Sequence, residues 1–66
     1  MNKRTLYKNL IDRVGHVNQE VTEILEDVLK NLPELDGQQP VRELKKCKIS
    51  TDLILAIFKD EIKIRR

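Results

Sequence analysis

The sequence is poor in the residue types that build cross-links and metal sites. It contains one cysteine, Cys47, so no disulfide can form within the chain. One thiol and one histidine, His16, are too few for a tetrahedral metal site. Because a lone thiol is most easily kept reduced inside a cell, we expect a cytoplasmic protein.

Patterns that support catalysis or nucleotide binding are also scarce. The two glycines are isolated, so no glycine-rich phosphate loop is present. We interpret His16 as a turn residue and Cys47 as a small packing residue beside Leu44, since neither has a second catalytic residue type nearby in sequence. General acid–base catalysis needs a sheltered pair of groups with different pKa values, and a chain of 66 residues has little room for a pocket. We therefore expect no enzyme activity, no cofactor and no small-molecule substrate.

Aromatic residues and long apolar runs are few. Two aromatics, Tyr7 and Phe58, are too few to form a stacking platform for single-stranded nucleic acid. The longest apolar run, LILAIF at residues 53–58, is far shorter than the roughly 20 residues of a membrane-spanning helix. No apolar run suited to a signal peptide follows the basic N-terminus. We expect a soluble chain with no membrane partner.

Helical periodicity is abundant in the N-terminal half. Residues 3–14 place their apolar side chains at helical spacing, with Asn2 or Thr5 as the cap and Gly15 at the C-terminal end. A second apolar stripe runs without interruption from Val17 to Leu32. Asn18 stands where its N-cap belongs, and Pro33 ends it. These two helices are predicted to form a hairpin.

The C-terminal half begins with a loop. The stretch PELDGQQP at residues 33–40 contains the turn pair Asp36-Gly37. A short helix is predicted over residues 40–47, with Pro40 at its first position. Cap-type residues at 50–52 then predict a last helix over about residues 51–63. Six consecutive apolar residues do not distinguish a helix from a strand, so a strand at residues 53–64 stays open.

Together these elements predict an all-α fold, a single helical domain over residues 1–66. The expected architecture is a small bundle of three to four short helices: the N-terminal hairpin, the Pro/Gly loop and the C-terminal helix. A chain of this size buries only about 60% of the surface that it exposes when unfolded. Because residues 53–58 are apolar on nearly all sides of the predicted helix, we expect a homodimer. The residues expected to mediate self-association are Leu53, Leu55, Phe58 and Ile62.

Charge is distributed unevenly along the chain. Residues 1–16 carry a net charge of +3, residues 17–37 a net charge of −5, and residues 38–66 a net charge of +4. One interpretation is solvation and pairing between neighbouring helices, and the other is a pair of faces for oppositely charged partners. The second interpretation predicts a small non-enzymatic regulator or adaptor that binds another protein. Its predicted acidic face consists of Glu20, Glu23, Glu26 and Asp27.

Residues 41–63 also resemble a helix-turn-helix, with VRELKKCKIS as the supporting helix and turn and STDLILAIFKDEI as the recognition helix. The resemblance implies a dimeric DNA-binding regulator as the alternative function. The centre of that recognition helix is apolar, although polar side chains are needed to read base edges. The residues expected to contact nucleic acid are Lys45, Lys46, Lys48, Lys59, Lys63, Arg65 and Arg66. A third role is that of a structural subunit in a larger assembly.

Overall fold

The computed structural model describes residues 2–64, with side chains as far as Lys63, and consists of two long antiparallel helices. Helix α1 spans Lys3–Asn31, a 3₁₀ turn spans Pro33–Leu35, and helix α2 spans Gln39–Ile64. The hairpin measures 48 × 14 × 13 Å. The all-helical fold class is confirmed, and residues 53–64 are helix. Two long helices take the place of the predicted three or four short ones.

Helix α1 begins at its predicted cap but does not stop at Gly15. The Asn2 side chain accepts a hydrogen bond of 2.7 Å from the Thr5 backbone N–H. The predicted ending at Gly15 is wrong because Tyr7, Val14 and Val21 recur every seven residues, close to two helical turns, and so lie on one side of a continuous helix. The apolar side chains before and after Gly15 therefore lie on the same side of one helix, and no break is needed between them.

Helix α2 likewise joins two segments that were predicted to be separate. Its side facing α1 follows spacings of three and four residues through positions 41, 44, 48, 51, 55, 58 and 62. Two of these positions carry polar residues, Lys48 and Thr51, which obscured the stripe. Thr51 does not cap a new helix, since its hydroxyl lies 3.0 Å from the carbonyl oxygens of Cys47 and Lys48 in the preceding turn. The helix-turn-helix is therefore wrong, because no turn interrupts α2.

The connection between the helices lies where it was predicted. α1 ends at Asn31, shortly before Pro33, and the Asp36 N–H donates to the Pro33 carbonyl at 3.1 Å. Gly37 has φ +80°, a backbone conformation that favours a residue without a side chain. The Arg42 Nε donates to the Gly37 carbonyl at 3.1 Å, which ties the turn to the first part of α2.

The interface between the two helices buries few side chains. Val21 and Val41 are buried, as is the polar Thr51, and the rings of Tyr7 and Phe58 meet at 5.7 Å with a tilt of 52°. The expected burial of residues 53–58 on more than one side does not occur within one chain. Large apolar side chains that stay exposed are Leu6, Val17, Ile24, Leu32, Ile49, Leu53, Ile54 and Ile57.

Candidate interaction surfaces

A polar cluster joins the two helices near their midpoints. The Asn18 Nδ2 donates to the Thr51 Oγ1 at 2.6 Å and to the Asp52 Oδ1 at 2.9 Å, and it lies 3.3 Å from the Lys48 carbonyl. The predicted N-cap role of Asn18 is wrong, because the residue lies inside α1. These bonds fix the alignment of the helices, since a slide of one turn, about 5.4 Å, would separate every donor from its acceptor.

An apolar row, here called the flank row, runs along one side of α1. It consists of Leu6, Leu10, Val17 and Ile24, which lie within about 40° of one another around the helix axis. The row is turned about 70° away from the side of α1 that faces α2. Leu6, Val17 and Ile24 are 46%, 51% and 45% exposed, and Leu10 is half-buried. The flank row is thus apolar surface that is largely exposed in the single hairpin.

The predicted self-association residues divide between two sides of α2. Leu55, Phe58 and Ile62 are half-buried and share the spacing of the residues that face α1. Leu53 points the other way and is 59% exposed, with Ile49 and Ile57 one turn before and after it. Three of the four residues therefore pack inside the hairpin, and Leu53 is the member most accessible to a second chain.

The four predicted acidic residues are all exposed on α1. Glu20, Glu23 and Asp27 lie within about 60° of one another, and Glu26 lies about 60° further round the helix. None of the four forms an ion pair within residues 2–63, although Gln19 Nε2 donates to Glu23 Oε1 at 3.3 Å. The acidic face is consequently available to a partner molecule.

The predicted nucleic-acid contacts are spread over more than one side of α2. Lys45, Lys48, Lys59 and Lys63 lie within about 60° of one another, and we call them the basic stripe. Lys48 in this stripe pairs with Asp52 at 3.1 Å. Lys46 lies outside the stripe and pairs with Glu43 at 3.4 Å. Arg65 and Arg66 lie outside the described residues.

The histidine and the cysteine occupy different settings from those predicted. His16 is exposed in the middle of α1, so the predicted turn position is wrong. Cys47 is exposed on α2, so it does not pack beside Leu44 in the interior. Among the residues that the structure describes, no group of three or more His, Cys, Asp or Glu side chains is placed to hold a metal ion.

The chain matches no protein-family model, no curated protein and no solved structure. Within the described part of the chain, neither helix has an apolar stretch long enough to span a bilayer. The observations that can support a function are therefore the flank row, the acidic face and the basic stripe.

Proposed function

We propose that the protein is a small non-enzymatic regulator or adaptor, a homodimer that binds another protein through its helical surfaces. The observation that carries this proposal is the acidic face: four exposed carboxylates on α1 that have no ion-pair partner within the described residues. The exposed apolar side chains of both helices support self-association, because apolar surface gains free energy when it is removed from water.

The chemistry of the acidic face selects a partner surface rich in Lys and Arg. Complementary potentials raise the rate of association and disfavour partners of the same charge. Exposed charges are screened by salt over about 10 Å at 0.1 M ionic strength, so binding through this face must weaken as salt is added. This salt dependence distinguishes a charge-selective surface from carboxylates that serve only solvation.

The test is a comparison of partner capture by matched charge-reversal variants. Glu23→Lys/Glu26→Lys reverses two acids that lie away from the flank row, and Lys59→Glu/Lys63→Glu reverses the same number of charges on α2. We expect the first variant to capture about tenfold less of a host protein than the wild type, and the second to capture it normally. Capture that is insensitive to reversal at Glu23 and Glu26 would exclude the acidic face as the binding site.

Nucleic-acid binding is the second candidate function, and the basic stripe supports it. Without a helix-turn-helix, such binding would depend on phosphate contacts, which position a protein without reading sequence. A plot of the logarithm of the association constant against the logarithm of the salt concentration would then be a falling line. Its slope would be about −0.9 for each phosphate that the protein neutralises. Titration of duplex DNA at two salt concentrations tests this, with Lys59→Ala/Lys63→Ala as the variant. Absence of binding at low salt would end this candidate.

A further inference from the structure

The charge on α1 is divided between its two halves. Residues 3–13 hold four basic side chains and one acidic side chain, a net charge of +3. Residues 20–27 hold four acidic side chains and no basic one, a net charge of −4. Two α1 helices side by side in parallel would place like charges together along their whole length. In an antiparallel pair centred near residue 17, residues 20–27 of each helix lie beside residues 7–14 of the other, which hold Lys8 and Arg13 against Asp12, a net charge of +1.

The flank row, like the charge, fits an antiparallel pair, because its apolar residues are arranged symmetrically about Val17. Leu10 and Ile24 lie seven residues before and after Val17, so reversal of the helix about Val17 exchanges one for the other. In an antiparallel pair centred there, Val17 meets Val17 of the second copy and Leu10 meets its Ile24. Arg13 and Glu20 border this row, and the same reversal brings Arg13 of one copy close to Glu20 of the other.

The hairpin exposes more surface than a compact chain of the same mass. The chain has an accessible surface of 5210 Å². A compact monomer of 7.8 kDa exposes about 4,400 Å² by the scaling of surface with mass. The excess is therefore about 800 Å², which is the area that each partner contributes to a standard protein–protein interface.

We infer that a second copy of this chain covers the flank row, with α1 packed antiparallel against α1 about a two-fold axis at Val17. This inference rests on the proposed homodimer and specifies its geometry. The axis is perpendicular to the helices and passes at the level of the Asn18–Thr51 hydrogen bond. In the antiparallel hairpin, Cys47 and Ile54 of α2 lie on the same side as the flank row. Cys47 precedes Thr51 by four residues and Ile54 follows it by three, so the two lie at about equal distances from the axis along the helix. The result is a four-helix bundle in which Cys47 of each copy meets Ile54 of the other.

The other antiparallel arrangement, α1 against α2 of the second copy, fits the apolar side chains less well. It keeps each residue at the level of its neighbour within the hairpin, so Val17 would lie between Ser50 and Ile54 of the second copy, and Ile24 would lie between its Glu43 and Cys47. Each of these two exposed apolar side chains would then have one polar neighbour, and burial of an unpaired polar group is unfavourable. The arrangement of α1 against α1 pairs the flank-row side chains with one another instead.

Disulfide cross-linking tests the axis directly. In a Cys47→Ser background, Val17→Cys places two thiols at the two-fold axis, and we expect most of the chain to form a covalent dimer under mild oxidation. Leu10→Cys alone should form no covalent dimer under the same conditions, and a mixture of Leu10→Cys with Ile24→Cys should cross-link. Leu53→Cys, whose position is exposed on the far side of α2, is the control and should not cross-link.

Each alternative outcome overturns the geometry in a recognisable way. Cross-linking of Leu10→Cys with itself would indicate parallel α1 helices. A dimeric mass in solution without cross-linking at Val17 would leave the proposed homodimer standing and remove this axis. If the protein without cross-links has a monomeric mass at about 100 μM, both the homodimer and the axis at Val17 are excluded, because an interface of this size is expected to keep two chains associated at that concentration.

A charge exchange provides a second measurement that needs no cysteine. Arg13→Glu and Glu20→Arg should each weaken dimerisation by about tenfold, because each interface contains the altered contact twice. The two substitutions in one chain should restore the dissociation constant to within about threefold of the wild type. Restoration identifies Arg13 and Glu20 as opposing residues, and additive weakening would show that they do not meet. Helical circular dichroism confirms that each variant folds.

Discussion

Asn18 holds the two helices in one alignment at the scale of a single residue. Its amide donates to the Thr51 hydroxyl at 2.6 Å, and Thr51 is 8% exposed, so this bond is partly shielded from water. A hydrogen bond of this kind contributes about 1 kcal/mol to stability. Single substitutions at Asn18 do not isolate that contribution, because alanine is the better helix former by about 0.6 kcal/mol. A double-mutant cycle removes this difference.

We predict that Asn18→Ala and Thr51→Val are energetically coupled. The cycle of both single variants and the double variant should give a coupling energy of about 0.5 to 1.5 kcal/mol from urea denaturation. Gln19→Ala with Thr51→Val is the matched control and should be additive, since Gln19 bonds within its own helix. A coupling energy below about 0.3 kcal/mol would mean that the Asn18–Thr51 bond does not contribute to stability.

The two glycines should respond to alanine with opposite signs. Gly37 has φ +80°, which costs a residue with a side chain about 1 to 2 kcal/mol, so Gly37→Ala is expected to destabilise by about that amount. Gly15 lies within α1, and a Cβ there would meet nothing within 4 Å. Gly15→Ala should therefore stabilise by about 0.8 to 1.0 kcal/mol.

Thermal denaturation of the two glycine variants and the wild type measures whether each substitution raises or lowers stability. A destabilising Gly15→Ala would indicate that α1 is interrupted near residue 15, as its sequence first suggested. A neutral Gly37→Ala would indicate that the turn adopts another backbone conformation.

At the scale of elements, the helical segments and the turn between the two halves were predictable from sequence, but the continuity of each long helix was not. The apolar periodicity gave helix over most of both halves, and Pro33 with Asp36-Gly37 gave the one turn. Local stop and start signals at Gly15 and at residues 50–52 were misleading, because such residues also occur inside long helices. Whether a helix continues through such a residue depends on the apolar side chains before and after it. If they lie on the same side of one continuous helix, as they do across Gly15, the helix continues.

The surfaces were harder to predict than the helices, for a physical reason. Sequence periodicity shows that residues 53–58 are apolar, but one helix partner can cover only one side of them. Leu55, Phe58 and Ile62, predicted to mediate self-association, lie on the side of α2 that faces α1 and are half-buried. The acidic residues are exposed as expected, because charged side chains with no partner stay in water.

The continuity of α2 is tested by proline at Ser50. Ser50 is exposed inside the helix, so Ser50→Pro removes a backbone hydrogen bond and places the ring against the preceding turn. We expect a loss of about 3 kcal/mol or outright unfolding, measured by circular dichroism during urea denaturation. Ser50→Ala is the control at the same position and should stabilise slightly. A loss below about 1 kcal/mol would indicate a helix start near residue 51, where proline is well tolerated.

At the scale of the whole molecule, the single hairpin has little to hold it together. Its fully shielded side chains are few, and proteins of this length usually depend on an additional source of stability. One cysteine excludes an internal disulfide, so association of two chains is the remaining common source. Folding and dimerisation should then be a single process whose stability depends on protein concentration.

We predict that the thermal midpoint rises with protein concentration. Each tenfold increase favours the dimer by about 1.4 kcal/mol, which for two chains of 66 residues corresponds to about 5 °C. Val17→Asp should lower the midpoint strongly or leave the chain unfolded at micromolar concentration, because a carboxylate would be buried at the proposed two-fold axis. Leu53→Asp, at the exposed far side of α2, should keep a midpoint near that of the wild type and the same dependence on concentration. A wild-type midpoint that is unchanged over a hundredfold range would show that the hairpin folds alone, and the exposed flank row would then need a different partner.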